Sequence, residues 1–432
     1  MKKITFFLFG LIALVACEAE LETEKANSLG DGNRMTRSSL TISPEEAAAQ
    51  ALEFRNDILE QSGQTRGQKA EKGVASVYAW RSSEIAPKSI TRSTASELLP
   101  DTLLYIVNFE DSCGYALVSA DALIPGVAAY IEKGNLSPNQ EIDNPGFKSF
   151  LEGYGKYICD SIRSISDSLR HHEGTLMFMD TAHVTGPEPY TPYHLIYFVA
   201  PLLTTEWGQR TPYNNECPIV DYGLRSAAGC AAVAAAQVVA YHRFPNSYNG
   251  HIYNWDAIMN ESTVSNSDSI ASQSVAALIH DIGILAKTTY HYWQSDTYFP
   301  FLWNCWVAFG YQYYRPNEVP TFNAIKDDIS NGRPVVMCGS DIWQNENGSY
   351  SNKSHIWVVD GVAIKRHRLA GFLSIPDRQY IHCNWGWDGD GNGYFILGAF
   401  ETRYNLSTDY GVGGFDAYNK AMQAFYSVCP IN

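Results

Sequence analysis

The chain has 432 residues, of which 45% are hydrophobic, 13% aromatic and 18% charged. That composition excludes a disordered chain, and the length suffices for two domains with separate cores. A formal net charge of -15, with no basic stretch to offset it, excludes nucleic acid as a partner.

Lys2 and Lys3 open the chain, and residues 4–16 are almost wholly apolar. This run is too short to stay across a bilayer and suits a secretory signal. It ends in Leu14-Val15-Ala16-Cys17, which looks like a bacterial lipobox, where the chain is cut just before a lipidated cysteine. An ordinary signal peptide that happens to carry a cysteine is the plainer alternative. The lipobox reading makes 1–17 the signal and gives Cys17 the acyl chains that hold the protein to a membrane. It places the protein in the cell envelope, lipid-anchored at the outer membrane or cell surface, with release after later cleavage also compatible. Residues 18–40 are polar, acidic at first, and read as a flexible tether.

A helix is predicted from Ser43, because Pro44 suits a first turn and Ser43 with Glu46 makes a capping box; 47–59 continues it. A looser stretch follows to about residue 100. Short β-type runs at 103–109 and 115–119 flank Asp111-Ser112-Cys113-Gly114, a hairpin signal. Residues 147–169 read as helix, and 171–192, with repeated Gly, Pro and Thr, as a boundary. Beyond 196, Tyr and Trp become frequent and strand-like runs alternate with turns. Among them lies an Ala-rich helix, 226–242 (SAAGCAAVAAAQVVAYH), closed by Pro245. Helices are also predicted at 274–287 and 321–330. The outline is a smaller N-terminal domain, a link and a larger α+β domain.

Nine cysteines are too sparse for a disulfide scaffold and form no CxxC or Cys/His cluster of zinc type. No disulfide pairing, metal or other cofactor is predicted. Cys230 is the distinctive one, because a helix N-terminus favours the thiolate, the reactive form of Cys. Taken alone, a buried thiol in a core helix is an equal reading. His355 stands far away in sequence, at the mouth of an apolar strand that ends in Asp360-Gly361. Cys–His pairs are assembled in space, and an imidazole there could take the thiol proton and later give it to a leaving amine. Asn384, beside Trp385, could orient and shield that imidazole. Gln209, upstream of the cysteine, could donate to a developing oxyanion together with the Cys230 N–H. Asp388, Asp390, Asn392 and Gly393 resemble the start of a calcium loop, but Ala399 stands where a bidentate Glu belongs. A glycine-rich turn is the better reading there.

In the order Gln, Cys, His, Asn these residues follow the papain-like plan, and in detail the chain resembles the streptopain-type cysteine protease family. The motifs are 207–214 (WGQRTPYN), 229–237 (GCAAVAAAQ) with 241–245 (YHRFP), 355–361 (HIWVVDG) and 384–395 (NWGWDGDGNGYF). The resemblance covers roughly residues 200–430. It implies an α+β, papain-like catalytic domain at 186–432, acting as a cysteine endopeptidase on protein or peptide substrates. In that reading Cys230 is the nucleophile, His355 the base and Gln209 the oxyanion donor, and Asn384 and Trp385 support His355. More weakly, 104–109, 114–121 and Pro125 resemble the family's inhibitory propeptide. This implies a smaller α+β inhibitory domain at 41–185, removed by a cut within 171–192.

The chain departs from the family at Ser354 and Ile356, where Gly and Ala are usual; the bulkier Ile356 is expected to narrow the cleft or change specificity. The stretch 362–380 is longer than expected and reads as an exposed loop, with Lys365, Arg366, His367 and Arg368 as a solvated basic face. Two rival functions remain. A cell-wall amidase would use the same chemistry but predicts a wall-binding module, and none is evident. A catalytically silent surface binder predicts loss of a catalytic residue, and none is lost.

Overall fold

The computed structural model describes residues 41–63, 73–81, 102–121, 124, 126–151, 153–154, 157–158, 193–316, 319–344, 350–368, 377–400 and 421–431. The expected signal, Cys17, the tether and the 171–192 boundary lie outside the described residues.

Helix α1 (Pro44–Gln61) starts at the expected capping box. Ser43 Oγ accepts from the Glu46 N–H at 3.1 Å, and Glu46 Oε2 accepts from the Ser43 N–H at 2.8 Å. Ala47, Ala51, Phe54 and Ile58 recur at helical spacing and are all buried. Four antiparallel strands follow: β1 (Val74–Arg81), β2 (Thr102–Phe109), β3 (Tyr115–Ser119) and β4 (Val127–Ile131). The stretch expected to be loose contains β1. It is an edge strand with mostly part-exposed residues, so no burial pattern marks it in sequence. The β2–β3 hairpin turns where predicted. Gly114 sits at φ 94 with the Ile131 carbonyl pressed against it, so no side chain fits.

Apart from a small separate pair, Ser247–Tyr248 with His251–Ile252, the remaining strands are β5 (Tyr193–Val199), β6 (Tyr311–Tyr314), β7 (Val335–Gln344), β8 (Tyr350–His367), β9 (Arg378–Asn384), β10 (Gly393–Ile396) and β11 (Ala421–Pro430). The numbered strands join one 11-stranded sheet in the order β1-β2-β3-β4-β10-β9-β8-β7-β11-β6, with β5 on the far half of β8. The N-terminal strands thus continue the C-terminal sheet, since β4 pairs with β10 (Tyr130 opposite Tyr394).

Strand side chains alternate between faces. Ile356 and Val358 of β8 pack on one face with helix α2 (Cys230–His242) and helix α3 (Ser269–Leu285). Trp357 and Val359 face the other way, into a core shared with α1 and β2–β4. Phe54 of α1 links the two parts there, 4.9 Å from the Tyr380 ring of β9 and 5.9 Å from the Tyr130 ring of β4. The class is α+β.

Four expectations are corrected. Helix α2 begins at Cys230, not at 226, because Gly229 at φ 91 stops the helix from extending back. Helix α3 begins at Ser269, where Asp268 caps the Ile270 and Ala271 N–H groups. Ile356 does not narrow a cleft, since its side chain is buried in the core beneath α2. Residues 362–367 are no exposed loop but the end of β8; Lys365 is 3% exposed and lies 3.0 Å from Asp57 of α1. Residues 369–376 lie outside the described residues. Helix α4 (Phe322–Ser330) starts as predicted, with Thr321 Oγ1 accepting from the Ala324 N–H at 3.3 Å.

Candidate active site

Cys230 is the first residue of α2, so its own N–H and that of Ala231 have no partner inside the helix. The chain reaching it is fixed at each step. The Ala227 N–H donates to the His291 carbonyl, the Ala228 N–H to the Gln209 carbonyl, both at 3.0 Å, and Ser295 Oγ donates to the Ala227 carbonyl at 2.7 Å. Residues 231–240 are all buried, which suits an alanine-rich rod apolar on every side. The N–H groups of Ile356, Ala231 and Cys230 itself surround the sulfur and favour thiolate, yet burial outweighs them. The thiol is pushed up to about 11.

His355 is brought to this point by β8, in register opposite Gly339 of β7. The Ile356 N–H is near enough to the Cys230 sulfur to favour its thiolate, so the residue that follows His355 lies by the helix start. Its Nε2 meets the Trp385 carbonyl at 2.8 Å. A carbonyl only accepts, so Nε2 carries the proton and Nδ1 the lone pair. Trp357, Trp385 and Trp387 enclose the ring at centroid distances of 6.3, 6.1 and 6.4 Å. Burial drives the imidazole down to about 4, against the Trp385 carbonyl, which works the other way. In this state both groups are neutral.

Asn384 does not touch the imidazole. Its amide turns the other way, donating to the Thr205 carbonyl at 2.6 Å and pairing with Gln237 of α2 at 3.1 and 3.2 Å. The contact expected of its side chain is made by the backbone of its neighbour Trp385, whose own side chain is fully buried. The turn after it is stapled internally: the Trp385 N–H donates to Asn392 Oδ1 at 3.0 Å and Trp385 Nε1 to the Gly391 carbonyl at 2.9 Å. Asn392 and Gly391 of the run that resembled a calcium loop thus serve this turn. Gln209 is 8% exposed and is tied through its carbonyl two residues ahead of Cys230.

A segment singled out by no sequence reading completes the site. In the N-terminal domain, Asn144 Oδ1 accepts from the N–H groups of Gly146 and Phe147 at 3.0 and 3.1 Å, and Asn144 Nδ2 donates to the Asp390 carbonyl at 2.6 Å. Gly146 is thereby laid over the site. A Cβ added to it would run into the Trp385 ring and come within 2.7 Å of His355 Cδ2. Asn144-Pro145-Gly146 is a turn signal that could have drawn notice, though nothing in it says what it covers.

Charges join the two parts around this cover. Lys133 Nζ lies 2.5 Å from Glu206 Oε1, and Arg368 Nη2 2.6 Å from Glu53 Oε1. His382 is held by Asp360 at 2.6 Å and faces Glu132 of the N-terminal domain at 3.5 Å, an ion-pair distance. Burial, the largest single influence, pulls His382 down; the carboxylates of Asp360 and Glu132 together outweigh it and hold it near 10. No disulfide is formed among the described residues.

Residues 207–395 match the Peptidase C10 family and residues 39–158 the Spi protease inhibitor family. Streptopain of Streptococcus pyogenes is 24% identical over 362 residues, covering 74% of this chain and 79% of that protein. The thiol protease/hemagglutinin PrtT of Porphyromonas gingivalis is 24% identical over 398 residues, which is 82% of this chain but 41% of that protein. Among solved structures, a prointerpain A fragment from Prevotella intermedia matches with a TM-score of 0.53 at 20% identity, over 77% of this chain and 98% of that one. That last likeness is one of fold.

Proposed function

We propose that this chain, a streptopain-type cysteine peptidase of the Peptidase C10 family with a Spi-type inhibitor domain ahead of its catalytic domain, is a secreted zymogen that cuts peptide bonds through a thioester on Cys230. The observation that carries the reading is the N–H of Ile356 at the Cys230 sulfur, which seats the thiol beside the residue that follows His355. With Nε2 committed to the Trp385 carbonyl, His355 Nδ1 takes the thiol proton. The sulfur attacks the substrate carbonyl carbon, and the oxyanion that forms is held by the Cys230 N–H and the Gln209 side chain. The C–N bond then breaks, the amine leaves with the proton from His355, and water hydrolyses the thioester with His355 again as base.

The Gly146 segment keeps substrate from His355 and adds to the burial that holds its imidazole neutral. Activation removes the N-terminal domain by a cut within 171–192. Substrates are proteins or peptides, and the family resemblance favours an apolar side chain two residues before the cut. Cys17 as a lipid anchor would hold the zymogen to the outer membrane or cell surface, with the catalytic domain staying there or leaving after the cut.

The test follows the chain without residues 1–17 by intact mass, at neutral pH with a thiol reductant and an epoxide inhibitor of papain-like enzymes. Cys230→Ala runs beside it. Loss of the N-terminal domain, with one inhibitor adduct absent from the variant, is the expected result. A catalytic domain freed by an outside protease that still takes no label would overturn the reading.

A further inference from the structure

Gln237 lies seven residues after Cys230 on α2, two turns on and therefore on the same face of the helix. It is 0% exposed, a polar residue in a helix otherwise built from Ala and Val up to that point. Both the oxygen and the nitrogen of its amide are engaged. Oε1 accepts from Thr205 Oγ1 at 2.9 Å, from the Trp207 N–H at 3.3 Å and from Asn384 Nδ2 at 3.2 Å. Nε2 donates to Asn384 Oδ1 at 3.1 Å. Asn384 in turn fixes the backbone around Trp385, since its Oδ1 also accepts from the Gly386 N–H at 3.2 Å. Between Asn384 and Gly386 stands the Trp385 carbonyl, which meets His355 Nε2 at 2.8 Å.

We infer that Gln237 is a positioning residue for the peptidase reaction: from the nucleophile's own helix it clamps Asn384, and through Asn384 it sets the Trp385 carbonyl that orients His355. The inference rests on the proposed roles of Cys230 and His355. A core filler at 237 would need no polar atoms, and burying an amide without partners is unfavourable. Here each partner is backbone or side chain of the segments that flank the site, so the amide fixes one geometry between the helix and the 384–386 turn. The clamp matters to chemistry because the Trp385 carbonyl stabilises imidazolium, and imidazolium stabilises the thiolate.

The experiment compares activated wild type with Gln237→Met, which keeps the volume and removes the hydrogen bonds, and with Gln237→Glu, which keeps the acceptor oxygen. Peptide turnover is measured across pH, together with the rate of Cys230 alkylation. For Gln237→Met, kcat falls roughly tenfold to a hundredfold, the size of effect expected when a catalytic group is misplaced by about an ångström. KM changes little. The pH bell narrows from both sides, because thiolate forms at higher pH and imidazolium is lost at lower pH. Gln237→Glu recovers little of the loss, because it keeps the acceptor but has no N–H to donate to Asn384 Oδ1.

A folded Gln237→Met with unchanged kcat and an unchanged bell overturns the inference, as does a loss confined to KM. If Gln237→Met does not fold, Thr205→Val, which removes one donor to the same oxygen, carries the test: a narrowed bell supports the clamp and an unchanged bell refutes it. Failure of wild type itself to turn over peptide or to alkylate at Cys230 would instead sink the parent reading.

Discussion

The two members of the candidate pair are held in opposite ways. Cys230 is set by its own half of the molecule: Gly229 starts the helix, the Ala227 and Ala228 N–H groups tie the approach, and the alanine rod behind it is buried under β8. His355 faces the other way, among Trp357, Trp385 and Trp387, with Gly146 of the N-terminal domain close against it. Under the proposed function, the nucleophile's setting would persist after activation while that of the histidine would change. The N-terminal domain would then act by covering His355 and not by blocking the nucleophile.

The sharpest break in this contrast is at the nucleophile. Cys230→Ala should lower turnover by roughly 10⁴-fold or more, as loss of a covalent nucleophile does elsewhere. Its thermal stability should stay within about 1 kcal/mol of wild type, because the helix start is fixed by neighbours and not by the sulfur. Turnover assays and thermal melts decide both halves.

On the His355 side, Gly146→Val should act on latency and not on chemistry. The added atoms collide with Trp385 and approach His355, a strain of about 1–3 kcal/mol by analogy with overpacked cores. The variant should shed its N-terminal domain several-fold to a hundredfold faster than wild type, and the freed enzyme should be indistinguishable from wild type. A Gly146→Val chain that stays latent as long as wild type would show that the segment covers nothing essential.

A smaller effect is expected from Lys365→Met. Lys365 is nearly fully buried between Asp57 at 3.0 Å and Glu53 at 3.9 Å, over the Phe54 ring at 5.1 Å. The carboxylates keep some water contact, so the loss of docking should be about 1–2 kcal/mol, below that for breaking a fully buried pair. It would appear as a lower urea midpoint for release of the N-terminal domain.

The mildest prediction is a pH dependence with two limbs. His382 is raised from 6.5 to about 10, so its contribution is whole below pH 6.5 and is lost as pH climbs toward 10. His355 is lowered from 6.5 to about 4, so the covered state loses stability as pH falls through that window. The thermal midpoint of the zymogen should therefore peak near neutral pH. Glu132→Gln should flatten the alkaline limb and leave the acid one.

Much of the site was legible in the sequence because its elements announce themselves locally. The Ser43–Glu46 capping box, the Asp111–Gly114 turn and the motif around Cys230 each depend on neighbours a few residues away. What stayed hidden depends on the meeting of distant segments. Asn384 could not be seen to turn from His355 to Gln237, because both partners are plausible for an amide and only the fold chooses. Lys365 and Arg368 read as solvated because their carboxylate partners lie more than three hundred residues earlier, on α1. The same distance concealed Gly146, a small residue whose importance lies entirely in what it approaches.

The most direct test of the account is the rate of Cys230 alkylation across pH in the intact chain and after removal of the N-terminal domain. The intact chain should react slowly, with a rate that rises only toward pH 11, where burial has placed the thiol. Removal of the domain should bring the rise down by several pH units, as expected for a thiolate paired with an imidazolium. Identical profiles before and after removal would contradict the claim that this domain silences the pair by keeping His355 buried and neutral.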